Sequence, residues 1–267
     1  GIQVFIFLAL SILMCVIQDA VGSGLAAAFG LDPLLGLCMG SIPLVGGHGT
    51  SGSFGPLLEE TYGVSGALTV ALAAATYGLV SGSMMGGPIA RRRVEKLHLK
   101  STAAEEGNAQ ADTAVAIDSQ KFTTAAVFLA IAIGVGTLIM SGFDMVHITM
   151  PAYIGAMLCA AAIRNIWDVS GHDLPMDEID TLGGLSLNLY LAMAMMNLCL
   201  WQLAALALPM IVILLVQTFI MFLYANFVIF NIMGRDYEAA AMTSAFCGFG
   251  MGATPNAMAN MKALAEH

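Results

Sequence analysis

The stretch Leu44-Val45-Gly46-Gly47-His48-Gly49-Thr50-Ser51-Gly52 decides the fold, and it has a counterpart at Gly250-Met251-Gly252-Ala253-Thr254-Pro255-Asn256. Each is a polar, glycine-rich tip between apolar runs, with residues 33–45 leading into the first and 237–249 into the second. An apolar run of about 12 residues makes roughly 18 Å of helix, about half of a hydrocarbon core of ~30 Å. A chain that reaches this depth and meets glycine and polar residues turns back. Irregular backbone is tolerated there only when protein surrounds it or it lines a water-filled path. The two tips therefore predict re-entrant hairpins over 33–60 and 237–267.

The flanking composition requires a membrane. Hydrophobic residues make up 58% of the 267 and charged residues 10%, against about 25% charged in a soluble domain. Runs near 20 residues recur at about 2–29, 67–90, 122–141, 147–166, 182–200 and 205–233, each long enough to cross a bilayer. Helices are required, because lipid leaves backbone amides without partners and barrel strands alternate with period two. The predicted class is an all-α integral membrane protein with two re-entrant glycine-rich hairpins. No leader is evident, and both ends read as cut within a longer protein.

Charge placement sets the orientation. If 91–121 is cytoplasmic, Arg91, Arg92, Arg93, Lys96, Lys100, Lys121, Arg164 and Arg235 all fall inside, and Lys262 lies on the return of the second hairpin. The opposite loops, near 30–33, 61–66, 142–146 and 201–204, hold no Lys or Arg. This is the positive-inside pattern. It reads the Arg91–Arg93 run as a topology signal, not a nucleic-acid site. Cys15, Cys38, Cys159, Cys199 and Cys247 lie in apolar segments without metal or disulfide spacing and read as inert thiols.

The hairpins also repeat. Gly30, Asp32, Gly46 and Thr50 recur as Gly234, Asp236, Gly250 and Thr254, each 204 positions on (234 − 30, and likewise for the others). On the charge topology the first enters from the periplasm and the second from the cytoplasm. That is the signature of an inverted-repeat secondary transporter, whose broken helices build a substrate and ion site at mid-membrane. The expected domains are a first repeat over 1–90, a cytoplasmic linker over 91–121 and a second repeat over 122–267. Close packing is the plainer reading for scattered glycines such as Gly134, Gly136 and Gly155.

The returning half-helices present free amides and a positive dipole end, which favour an anionic carboxylate. Thr254 before Pro255 suits a helix cap and a first-turn proline. Candidate substrate ligands are His48, Gly49, Thr50, Ser51 and Gly52 in one tip and Gly252, Ala253, Thr254 and Asn256 in the other. Carbonyls of Gly46, Gly47 and Gly250, with the Thr50 and Thr254 hydroxyls, are hard oxygens suited to sodium. Gln18, Asp19, Ser186, Asn188 and Gln217 are further candidates as polar groups inside apolar helices, with interhelical hydrogen bonding as the plainer alternative. The methionines read as packing.

Several stretches match a known family: Leu44 to Thr50, Ala75-Thr76-Tyr77-Gly78-Leu79-Val80 leading to Gly86-Gly87-Pro88, Leu191-Ala192-Met193-Ala194-Met195, and Cys247 to Pro255. They closely resemble the bacterial sodium/glutamate symporter (ESS) family over nearly the whole chain. The resemblance implies a homodimeric, elevator-type symporter of the bacterial inner membrane that carries glutamate with sodium, with both tips at the site. It also implies helices before Gly1 and a closing helix after His267. Asp19, Asn256 and Asn188 stand where the family pattern leads one to expect Asn, Thr and Ser, differences that bear on substrate choice.

Two other classes compete. A sodium-coupled carrier of another di- or tricarboxylate would share the tips. An intramembrane serine protease is suggested by Gly63-Val64-Ser65-Gly66, but its serine needs a histidine from a neighbouring helix. His48 is on a tip, His147 at a span entrance, and His98, His172 and His267 in polar segments. Ser65 reads instead as the cap of the helix that begins at 67. A passive channel is a third possibility, against which broken helices favour alternating access.

Overall fold

A computed structural model describes residues 2–97, 118–145, 150–151, 153–171, 173–196 and 200–265. Among these, every regular element is helical. The chain forms two compact units, one from Gly1–Gly107 with Cys199–His267, the other from Asn108–Leu198. Lys100 and His98 of the expected linker, His147, His172, Cys199 and His267 lie outside the described residues.

The first unit opens with α1 (Ile2–Ala28), followed by α2 (Pro33–Leu37), α3 (Ser41–Leu44), α4 (Gly47–Tyr62) and α5 (Ala67–Leu97). The second unit holds α6 (Ser119–Met145), α7 (Tyr153–Val169) and α8 (Met176–Met196). The first unit resumes with α9 (Leu200–Leu223), a π-helical segment (Tyr224–Ile229), α10 (Phe230–Ile232) and α11 (Tyr237–Ala265).

Among the described residues, four helical stretches are long and apolar enough to cross a membrane: Ile2–Ala28, Ala67–Leu97, Ser119–Phe143 and Leu203–Ile232. Only 22% of the apolar window of α1 is buried, and Ile2, Phe5, Leu8, Ile12 and Val16 face outward. A water-facing helix would not leave so contiguous an apolar face uncovered, whereas lipid covers it without penalty.

Several expected boundaries shift. Six runs were expected to span, but α7 has 17 residues, beginning at Tyr153 instead of 147. α8 starts six residues before the expected 182, with Asp177 and Glu178 in its first turn. Carboxylates there complement the helix dipole. Arg91, Arg92 and Arg93, assigned to the linker, are helical residues of α5. Ser65 is not the cap of that helix: the Leu68 amide donates to Glu59 Oε1 at 3.1 Å. Ser65 lies exposed between α4 and α5.

The half-helix expected over 33–45 is two short helices. α2 is capped by Asp32, whose side chain accepts from the Leu34 amide, and the chain breaks over Cys38–Gly40 before α3. α1 and α2 cross closely, since a Cβ on Gly22 would overlap the Gly36 carbonyl and one on Gly36 would overlap the Gly22 carbonyl.

In the first unit α5 lies against α4 and α11. Gly78, Gly82 and Gly86, four residues apart, form one stripe facing α11. A Cβ on Gly78 would overlap the Met251 carbonyl, one on Gly82 would lie 2.9 Å from Asn256 Nδ2, and one on Gly86 would overlap Asn260 Nδ2. Small residues at this spacing let two backbones approach where lipid gives no hydrophobic drive to association. Met14, Leu44, Leu72, Ile213, Met221, Phe246 and Met251 close the core. In the second unit Gly136 and Gly155 serve the same end, each facing the other helix's backbone at the α6–α7 crossing. Nothing approaches Gly134 within 4 Å.

Candidate functional site at two helix breaks

Both expected tips are breaks in helices, and the fold brings them together. In the first, α3 ends at Leu44 and α4 begins at Gly47, which sits at φ +68°. In the second, α11 is interrupted by Gly252 (φ −144°, ψ 21°) and Ala253 (φ 63°, ψ −178°). A Cβ on Gly47 would lie 3.1 Å from Ala253 Cβ, so the two breaks abut. The left-handed residues are 206 positions apart (253 − 47), two more than the spacing that relates Gly30 and Asp32 to Gly234 and Asp236. At those outer positions the likeness is structural as well. Both glycines have positive φ, and Asp236 Oδ1 accepts from the Ala239 amide as Asp32 Oδ1 does from that of Leu34.

Four helix ends therefore converge. α3 and the first half of α11 end there with free carbonyls, while α4 and the second half begin there with free amides. Carbonyl ends attract a cation and amide ends an anion. The junction thus presents both kinds of helix end at one place. Thr254 is not the cap expected of it: Ala253 holds the non-helical cap position, which places Thr254 and Pro255 in the first helical turn.

The candidate ligands divide by exposure. Gly49 and Thr254 are exposed, and Gly46, His48, Thr50, Gly52 and Ala253 are partly so. His48 Nε2 shares a 3.0 Å hydrogen bond with Thr76 Oγ1 on α5, which holds its ring in place. Ser51, by contrast, is fully buried, donating to the carbonyls of Gly47 (2.8 Å) and Ala71 (3.3 Å), and so ties α4 to α5. Asn256 is buried too. Its Nδ2 donates to the Leu79 carbonyl at 3.1 Å and its Oδ1 accepts from Ser83 Oγ. One turn on, Asn260 donates to the carbonyls of Gly82 and Ser244. These amides replace side-chain packing where the glycines of α5 leave room.

Gln18 and Gln217 lie beneath the second tip. Gln18 Nε2 donates to the Gly250 carbonyl at 2.8 Å, and Gln217 Nε2 donates to the Gln18 carbonyl at 2.7 Å. Both side chains are fully buried, and both Oε1 atoms have no protein partner. One lone pair of the Gly250 carbonyl is thus already engaged. Asp19 does not reach the tips through its carboxylate. Its Oδ1 accepts from the Ser41 amide (2.7 Å) and its Oδ2 from the Ser41 hydroxyl (2.9 Å), which caps α3. Ser186 and Asn188 are exposed on α8 in the other unit.

Sequence reading missed Thr76, Ser83, Asn260 and the Tyr77 hydroxyl, which bonds Thr218 Oγ1 at 2.9 Å. The four-residue spacing of Gly78, Gly82 and Gly86, matched by that of Asn256 and Asn260, was the signal that could have found the α5–α11 contact.

Among the described residues, apolar helices long enough to span a membrane, together with two abutting helix breaks, define a helical integral membrane protein. Comparison with known proteins gives the particular group. The family model for "Sodium/glutamate symporter" matches residues 1–267, and this chain belongs to that family. It is 39% identical over 272 positions to the sodium/glutamate symporter of Escherichia coli (strain K12), covering all of this chain and 68% of the relative. It is 33% identical over 274 positions to that of Haemophilus influenzae (strain ATCC 51907 / DSM 11121 / KW20 / Rd), covering 99% of this chain and 67% of the relative. These relatives are named as symporters, not enzymes. No solved structure matches the chain.

Proposed function

We propose that the protein imports glutamate with sodium across the bacterial inner membrane by alternating access, with the substrate and ion held at the two tips. The observation that carries this reading is the abutment of Gly47 and Ala253, which puts two amide ends and two carbonyl ends of broken helices at one point. Family membership supports sodium and glutamate as the transported pair. In this reading the tips are re-entrant hairpins of inverted repeats entering from opposite faces, with 91–121 on the cytoplasmic side. The repeats span 1–90 and 122–267, and the complete protein works as a homodimer. Both tips belong to one compact unit, which suits an elevator in which that unit carries the site across as a body.

Substrate contacts then come from the exposed groups, with Thr50, Gly49 and Thr254 offering hydroxyls and amides and His48 a ring held by Thr76. Sodium takes carbonyls of Gly46, Gly47 and Gly250 with the threonine hydroxyls. Ser51, Gly52, Gly252, Ala253 and Asn256 shape the tips from behind. The test is uptake by the complete protein in vesicles under an imposed sodium gradient. Thr50→Ala and Thr254→Ala should each reduce sodium-driven glutamate uptake at least about tenfold, the effect of one lost oxygen contact worth ~1.4 kcal/mol. Unchanged uptake in both variants would overturn the tip assignment. Citrate or malate carried in preference to glutamate would favour the carboxylate-carrier alternative.

A further inference from the structure

At the end of α5 away from the tips, a cavity of about 460 Å³ opens between α5 and the π segment, lined in part by Arg92, Arg93, Lys96, Phe222 and Phe227. A second, formed by Arg93, Leu97, Phe230 and Arg235, adjoins it. Among the described residues, every ionisable group lining the two is cationic. Arg91, on another face of the helix, is paired with Glu95 at 2.8 Å.

Two of these cations are held by uncharged partners. Arg93 Nη2 donates to the Asn226 carbonyl at 3.1 Å, and its guanidinium lies 4.6 Å from the Phe230 ring centroid. Arg235 Nε donates to Asn231 Oδ1 at 2.7 Å. These contacts orient the heads, and among the described residues no carboxylate pairs with either. Arg92 and Lys96, four residues apart on α5, repel each other in the absence of an anion. The wall beside them is apolar, and Phe227 is 62% exposed. A free anion has no use for that wall, whereas an amphiphile uses both surfaces.

We propose that this cleft binds an anionic phospholipid, with its phosphate between Arg92, Arg93 and Lys96 and its chains along Phe222 and Phe227. Basic clusters flanking spanning helices attract such headgroups electrostatically. Placing the lipid in the cytoplasmic leaflet rests on the orientation proposed above. Through Arg93 and Asn226 the bound phosphate would brace the π segment, which follows the helix that carries Gln217.

Native mass spectrometry of the complete detergent-purified protein, titrated with phosphatidylglycerol or phosphatidylcholine, tests this directly. Phosphatidylglycerol should be retained in preference. Arg92→Gln with Lys96→Gln, which leaves the Arg93 contacts intact, should weaken its binding about 30-fold, from two lost charges. Arg92→Lys with Lys96→Arg should keep it. If the glutamine variant fails to fold, the salt dependence of wild-type binding decides, since charge-driven retention must fall as salt rises. Equal retention of both lipids, glutamine-variant binding equal to wild type, salt-independent binding, or full displacement by millimolar inorganic phosphate would each overturn the site. Orientation is read separately. Labelling of Lys96→Cys by an impermeant maleimide from the periplasmic face would overturn the leaflet assignment and the proposed topology while leaving lipid binding to stand.

Discussion

Asp19 carries the only carboxylate expected inside a span, yet its two oxygens are both engaged by Ser41. A cap of this kind contributes about 1 kcal/mol, and asparagine performs nearly as well. Asp19→Ala should therefore lower the thermal midpoint of the purified protein by an amount equivalent to about 1–2 kcal/mol, while Asp19→Asn leaves both midpoint and sodium-driven uptake close to wild type. Loss of uptake in Asp19→Asn at unchanged stability would show a direct role in transport. Ala253 is the opposite case, since its backbone has no structural excuse in its side chain. At φ 63° and ψ −178° it occupies a region almost reserved for glycine, at about 1–3 kcal/mol. Ala253→Gly relieves this and gives back part through chain entropy, so a net gain of about 1 kcal/mol in thermal stability is expected. Its sodium dependence should soften, because the tip loses its fixed geometry. A lower midpoint would contradict the strain.

The contact between α5 and α11 explains why glycine recurs outside the tips. Gly78→Val should be far more disruptive than Gly87→Val: a side chain at Gly78 meets the Met251 carbonyl, while nothing lies within 4 Å of the same position on Gly87. Overpacking of this kind typically costs about 1–3 kcal/mol, and here it would displace the residue just before the second break. Thermal melts of the two variants in detergent, with sodium-driven uptake alongside, check the difference. At this scale the spans were legible because a run of 20 apolar residues has few other readings. Their ends were not. The six residues by which α8 begins early and the extension of α5 through Arg91–Arg93 come from helix dipole and packing terms that hydropathy does not contain. The split of 33–45 into α2 and α3 follows from the Cys38–Gly40 break and the Asp19 cap, a contact made across 22 residues of chain.

For the whole molecule, the proposed binding of sodium and glutamate at the junction of two half-helix pairs predicts stabilisation of the fold by linkage. Ligand at about 100 times its dissociation constant adds ~2.7 kcal/mol. Sodium with glutamate should therefore raise the thermal midpoint by several degrees, potassium with glutamate should not, and Thr254→Ala should remove the rise. An equal rise with potassium would count against the proposed ion coupling. The amino-acid sequence by itself determined the class, since 58% hydrophobic residues with so little charge exclude a water-soluble fold. Composition and local pattern also marked the two tips, because glycine and polar residues interrupting an apolar run are visible without any knowledge of neighbours. Only the tertiary structure decided which tip residues face outward. Ser51 and Asn256 look like ligands in sequence and are buried against α5, while Gln18 and Gln217, from helices 199 residues apart, meet beneath Gly250. The physical reason is that a hydroxyl or amide reads the same in sequence whether it bonds a substrate or a backbone carbonyl, and its partner is settled by how the helices pack.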